Sequence, residues 1–91
     1  HVFIMSKDII FTLHAEDMLV EREFKREFIV KVISKPDFTE SGEGDVWYAI
    51  KKVGHKYLRV VVGGKKKPYI VIRLYYDRRL REKMERKEVP K

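Results

Sequence analysis

Two stretches near the start of the chain predict two helices, the first from its helix-favouring residues and the second from an amphipathic stripe. From Thr12 to about Arg22 the residues favour a helix, with Thr12 as the N-cap and acidic residues early, where the helix dipole stabilises them. A second stripe follows and ends at Pro36, because the residue before a proline avoids the helical region. The members of that stripe are Phe24, Phe28, Ile29, Val32 and Ile33. Ahead of both helices, Asp8 to Leu13 alternates loosely, as either a short strand or an extended lead-in would.

Three later runs, rich in β-branched and aromatic residues, predict an antiparallel meander. These runs are Val46 to Val53, Tyr57 to Gly63 and Tyr69 to Tyr76. Gly54 and His55 between the first two suit a two-residue hairpin turn. The stretch from Asp37 to Asp45 has little to bury, which predicts a polar loop.

The segment after the third strand run, from Asp77 to Glu88, is charged nearly throughout. Leu80 and Met84 stand four residues apart there, so residues 77–91 are predicted to form a charged C-terminal helix or tail. The predicted fold is therefore one α+β domain over residues 8–76, in which two N-terminal helices pack on a three- to four-stranded antiparallel sheet.

Side-chain alternation along the strands separates a core face from an uncovered face. The core face is predicted to hold Leu58, Val60, Val62, Ile70, Ile72, Leu74 and Tyr76. The uncovered face is predicted to hold Tyr57, Arg59, Val61, Tyr69, Val71, Arg73 and Tyr75. The phase of the first strand stays open, because Lys51 and Lys52 are adjacent and either alternation points one lysine inward.

Composition narrows the class of protein. The chain has 91 residues, a net charge of +7 and no cysteine, so a disulfide framework and a thiolate zinc site are excluded. Asparagine and glutamine are also absent, which is typical of a thermophilic source. No apolar run approaches the roughly 20 residues of a membrane-spanning helix, and Lys7 and Asp8 interrupt the apolar start, so a cytoplasmic location is expected.

The basic charge and the uncovered face together predict RNA binding. Arginines can hold phosphates in bidentate fashion, and tyrosine rings can stack on unpaired bases. The RNA-binding candidates are Tyr57, Tyr69, Lys51, Lys52, Lys65, Lys66, Lys67 and Arg78. The plainer alternative is a solvent face of a thermophilic sheet, where tyrosine and arginine pair across strands for stability.

The chain resembles a widespread family of small prokaryotic proteins of unknown function. The likeness covers about Phe11 to Tyr76 and is carried by a His-Ala opening at His14, by Arg22, by Pro36 and by the later strands. That family is similar in layout to BrnT-type and RelE-type toxins. The resemblance implies a metal-independent endoribonuclease of a toxin–antitoxin pair, with no cofactor, with RNA as substrate and with an acidic antitoxin as partner.

Cleavage of RNA without a metal requires a base, an acid and cations that stabilise the developing charge. The catalytic candidates are His14, Glu21, Arg22, Arg59, Arg73 and Tyr75. Histidine is the side chain best suited to proton transfer near neutral pH, so His14 is the preferred acid or base. A half-buried structural histidine and structural salt bridges of the arginines are the alternatives. A non-catalytic RNA- or ribosome-binding module, and a protein-interaction domain that docks through Val2 to Met5, are the competing functions.

Overall fold

The computed structural model describes residues 8–80, which form two helices and a five-stranded sheet. The elements are β1 (Ile9–Phe11), α1 (Leu13–Glu21), α2 (Arg26–Ser34), β2 (Phe38–Ser41), β3 (Val46–Val53), β4 (Lys56–Gly63) and β5 (Tyr69–Tyr76). A further helix begins at residues 78–80, and the rest of the predicted C-terminal segment, including Met84, lies outside the described residues. No helix within residues 8–80 is long and apolar enough to cross a membrane.

The sheet is mixed, in the order β1-β5-β4-β3-β2. β1 pairs with β5 in parallel, and the other neighbours are antiparallel. The α+β class is confirmed, but the prediction of three or four purely antiparallel strands was wrong. The undecided segment before α1 is a strand. β2 lies within the segment that was predicted to be a polar loop. The sequence did not indicate this strand, because it is an exposed edge strand in which only Phe38 is half-buried, so it has no alternating apolar pattern.

Both helices lie on one face of the sheet. Thr12 is the N-cap of α1, as predicted, and its Oγ1 accepts a hydrogen bond from the Ala15 amide at 3.1 Å. α2 begins at Arg26 rather than at Phe24, because Glu23 at φ 58° turns the chain between the helices. Phe24 still joins the stripe, since its ring stacks on Phe28 with centroids 5.6 Å apart.

The main core lies between the helices and this face of the sheet. Its fully buried members are Ala15, Ile29, Val32, Ala49, Leu58, Val60, Val62, Val71 and Leu74. Trp47, whose strand phase the sequence left open, packs against this core. We call this side of the sheet the helix face and the other side the outer face.

A β-bulge in β5 corrects the predicted faces. Val61 pairs with Arg73 but Val62 pairs with Val71, so Ile72 is an extra residue. One extra residue inverts the alternation of everything before it. Leu74 lies in the core as predicted. The assignments before the bulge were wrong: Tyr69 and Val71 pack in the core, whereas Ile70 and Ile72 lie on the outer face.

Part of the outer face is covered by the chain beyond β5. Leu80 is only 5% exposed and packs with Ile50 and Tyr57, and Phe38 and Tyr48 border the same cluster. The outer face therefore has a covered half on β2, β3 and β4, and an open half toward β1 and β5.

Candidate nucleic-acid interface

Arg59, a predicted phosphate ligand, lies in the covered half of the outer face and is fully engaged there. Its Nε donates to Asp77 at 2.7 Å and its guanidinium donates to Glu40 at 2.9 Å, with the side chain 11% exposed. The guanidinium carbon also lies 4.8 Å from the centre of the Tyr48 ring. Two carboxylates and one ring thus already contact the Arg59 guanidinium, which is the group that a phosphate would need.

The ionisation of this network follows from its contacts. Burial alone would lower the pKa of Arg59, but hydrogen bonds and charge from Glu40 and Asp77 outweigh it and raise that pKa. Burial alone would raise the pKa of Asp77, but the Leu80 amide and the Arg59 guanidinium outweigh it and lower that pKa. The ion pair is therefore fully charged at neutral pH.

Arg73 stands in contrast on the open half of the same face. It is exposed, and within residues 8–80 no carboxylate pairs with it. Its guanidinium carbon lies 5.0 Å from the centre of the half-buried Tyr75 ring. A cation held over a ring keeps its N–H groups available at the edge of the plane, where a phosphate oxygen can accept them.

Apolar side chains share the open half of the outer face with Arg73. Ile10 is 50% exposed and Ile70 40% exposed, and they are paired residues of β1 and β5. We define the open patch as Ile10, Ile70, Ile72, Arg73 and Tyr75. It is more apolar than the alternation predicted, because the bulge places isoleucines where tyrosine and valine were expected.

The proton-transfer candidates lie on the other side of the sheet. His14 and Glu21 are exposed on α1, and Arg22 is exposed at its C-cap. α1 packs its buried residues Ala15 and Leu19 on the helix face. The sheet therefore separates these three side chains from Arg59, Arg73 and Tyr75, and the structure does not bring the predicted catalytic set together.

The remaining RNA-binding candidates are dispersed. Tyr57 is 6% exposed beneath Leu80, so its ring offers no surface for a base. Lys51 lies 3.9 Å from Asp37, and the exposed Lys52 approaches the Tyr57 ring at 6.0 Å. Arg78 is exposed at the start of the last helix.

The three lysines of the β4–β5 loop, Lys65, Lys66 and Lys67, are all exposed. The Lys67 Nζ lies 3.6 Å from the carboxylate of Asp8, the residue directly before β1. The loop enters β5 directly ahead of Ile70, so it adds positive charge at the end of the sheet next to the open patch.

A cleft opens at this same end, between the β2–β3 turn and the β4–β5 loop. It has a volume of about 390 Å³. The residues that line it include Thr39, Ser41, Trp47, Lys65 and Tyr69. Sequence reasoning missed Thr39 and Ser41, because they lie in the supposed loop, and left Trp47 without a face. A strand assignment for β2 would have placed both hydroxyls on the side of Trp47.

Comparisons with family models, with curated proteins and with solved structures found no match to this chain. Within residues 8–80, no group of three or more histidine, aspartate or glutamate side chains is placed to hold a metal ion.

Proposed function

We propose that this protein binds single-stranded RNA, without cutting it, through Arg73 and the adjoining basic loop. The observation that carries the proposal is the difference between the two outer-face arginines. Arg59 is neutralised by Glu40 and Asp77, whereas Arg73 is exposed and has no acidic partner within residues 8–80. An arginine that is free to bind an anion gains a charge-assisted, bidentate contact with phosphate.

The surroundings of Arg73 favour a single strand over a duplex. Tyr75 provides an aromatic ring beside the guanidinium, and Ile70 and Ile72 provide apolar surface. Unpaired bases expose flat, weakly polar faces that pack on such surfaces, whereas a duplex hides them. Lys65 and Lys66 extend the cationic track beyond the patch, which suits a backbone with one charge per nucleotide.

The test is fluorescence anisotropy with a labelled single-stranded RNA and three forms of the chain. Arg73→Ala should weaken binding about tenfold, as expected for one lost bidentate contact. Arg22→Ala is the matched control, because it removes the same charge from the helix side and should leave affinity within about twofold. Equal effects of both substitutions would show that only net charge matters, and the proposal would fail.

We keep the endoribonuclease toxin as a second candidate, because Arg73 lies beside Tyr75. In such a cleavage the ribose 2′-oxygen attacks the phosphorus while solvent water takes its proton, and the bond from phosphorus to the leaving 5′-oxygen breaks. The Arg73 guanidinium stabilises the developing phosphorane, and the Tyr75 phenol gives its proton to the leaving oxygen. His14, Glu21 and Arg22 would then take no part, since they lie across the sheet. Such a toxin would need an acidic antitoxin, whose reading frame should adjoin this one.

Induction in a tractable host, with RNA mapped by primer extension, tests the toxin proposal. Cutting should be abolished by Arg73→Ala, strongly reduced by Tyr75→Phe, unaffected by His14→Ala and insensitive to EDTA. A wild-type chain that neither slows growth nor cuts RNA would eliminate this candidate and leave RNA binding in place. Loss of cutting in His14→Ala alone would instead place the chemistry on the helix side.

A further inference from the structure

The cleft at the end of the sheet has fixed walls. The Trp47 Nε1–H donates to the Gly64 carbonyl at 2.8 Å, and the Gly64 amide donates to the Asp45 carbonyl at 3.1 Å. These two bonds tie the β4–β5 loop to β3 and to the β2–β3 turn. Gly64 has a backbone φ of 97°, which residues other than glycine rarely adopt. The loop is thereby held in place before any ligand arrives, which lowers the entropic cost of binding.

The cleft combines three kinds of group. Trp47 and Tyr69 meet edge to face with centroids 6.0 Å apart, so they present an aromatic corner. Thr39 and Ser41 line the cleft from β2 and carry hydroxyls, and Lys65 lines it from the β4–β5 loop. A volume of about 390 Å³ lies within the usual range of small-molecule sites.

We infer that this cleft binds one nucleotide unit of single-stranded RNA, an inference that rests on the proposed function. The base packs against Trp47 and Tyr69, the phosphate lies on Lys65, and the ribose 2′-hydroxyl bonds with the hydroxyls of β2. A nucleotide is the ligand that offers a flat ring, a hydroxylated sugar and an anion within one small volume. The 2′-hydroxyl is also the group by which a protein distinguishes RNA from DNA.

The acidic residues near the cleft restrict where the phosphate can lie. Glu40 lines the cleft, but its Oε1 accepts from Arg59 at 2.9 Å, so its charge is partnered. Glu43 and Asp45 are exposed in the β2–β3 turn. Their repulsion disfavours a phosphate close to either carboxylate, and Lys65 is the cation that lines the cleft. The loop lysine is therefore the anion contact, and neutralising Glu43 with Gln should strengthen binding.

Trp47 is the single tryptophan of the chain, so its fluorescence reports on the cleft directly. The full chain is titrated with adenosine monophosphate, with a short single-stranded RNA and with the DNA of the same sequence. Both ribonucleotide ligands should quench Trp47, and the RNA should bind more tightly than the DNA. Replacing both hydroxyls, Thr39→Val with Ser41→Ala, should remove the preference for RNA.

Matched variants separate the cleft from general charge. Lys65→Ala should weaken binding of the monophosphate about fivefold, as the loss of one phosphate contact would. Lys31→Ala makes the same charge change at an exposed site on α2, outside the cleft lining, and should leave that affinity unchanged. Tyr69→Leu should weaken binding about tenfold by removing ring stacking, and Tyr69→Phe should restore it. Thermal unfolding of each variant confirms that the fold is intact.

The outcomes distinguish this inference from the proposed function. RNA that binds by anisotropy while Trp47 fluorescence and all cleft variants stay unchanged would overturn the cleft and leave Arg73 as the RNA contact. Quenching by the monophosphate without any RNA binding would overturn the RNA occupant and the proposed function together, leaving a free nucleotide as ligand. No response to either probe would overturn both.

Discussion

Arg59 and Arg73 lie on the same face of the sheet, yet their surroundings give them different roles. Arg59 is close to two carboxylates in a covered region, where leaving a charge unpaired costs several kcal/mol. Its guanidinium therefore stabilises the fold by joining β4 to β2 and to the segment after β5. Arg73 is exposed, so water solvates it and it can exchange that water for a phosphate. Residue type alone does not separate these roles.

Asp77 provides a test of the Arg59 network at the level of one residue. Asp77→Asn should lower the free energy of unfolding by about 1.5 to 3 kcal/mol at pH 7, the range for a hydrogen bond to a charged group. Asparagine keeps an acceptor for the Leu80 amide, 2.9 Å away in the wild type, so the variant removes the charge and retains the cap.

The pH dependence follows from the lowered pKa of Asp77. A carboxyl whose pKa is lower in the folded state stabilises the fold above its unfolded value, about 3.9, and loses that contribution as pH falls through the folded value. The stability difference between wild type and Asp77→Asn should be constant near neutrality and shrink below about pH 4. Urea unfolding from pH 7 to pH 2 measures it, with the exposed Asp17→Asn as control. A difference independent of pH would contradict the ion pair.

At the level of elements, Thr12 connects α1 to the sheet. Its Oγ1 accepts a hydrogen bond from the Ala15 amide. The same hydroxyl donates toward β5, where the carbonyl oxygens of Val71 and Ile72 lie 3.1 and 3.0 Å from Oγ1. Thr12→Ala should cost about 1 to 2 kcal/mol by removing the N-cap. Thr12→Ser keeps the hydroxyl and should cost much less. Urea unfolding with an unchanged m-value tests this, and equal losses in both variants would show that the methyl group, not the cap, matters.

The same segment shows what the sequence can and cannot predict. The Thr12 cap, the helix end before Pro36 and the bounds of β3 and β5 depend on neighbouring residues, and the structure has them as predicted. The β5 bulge depends on pairing with β4, and no glycine or proline of β5 marks it. β2 depends on pairing with β3. Alternation counted through a bulge fails for every residue before it, which is why Tyr69 was placed on the wrong face.

The error has a functional consequence. Moving Tyr69 to the helix face takes a ring from the predicted RNA surface and pairs it with Trp47 at the cleft. The sequence pattern identified Trp47 and Tyr69 as aromatic residues of the sheet, but it did not show that they lie together at the cleft. The proposed site is therefore made of elements that only tertiary pairing brings together: the edge of β2, the start of β3 and the loop ahead of β5.

On the scale of the whole molecule, the net charge of +7 predicts attraction to any polyanion, but its distribution decides how many charges reach one. Within residues 8–80, acidic side chains pair with Arg26, Lys51, Arg59 and Lys67. Near the open patch and the cleft, the exposed cations that have no carboxylate partner within the same residues are Lys65, Lys66 and Arg73. We therefore expect about three phosphate contacts from residues 8–80, because only cations that lie together on one surface reach the same strand.

Counterion release converts that number into a measurable slope. For a single strand, the logarithm of the binding constant falls by about 0.7 per phosphate contact for each tenfold rise in salt, so three contacts predict a slope near −2. Arg73→Ala should reduce the steepness by about 0.7, whereas Arg22→Ala on the helix side should leave the slope unchanged. Anisotropy titrations from low to physiological salt give these slopes. A slope near −5 would show that the whole charge contributes without a defined site, and a flat response would exclude a phosphate backbone as the ligand.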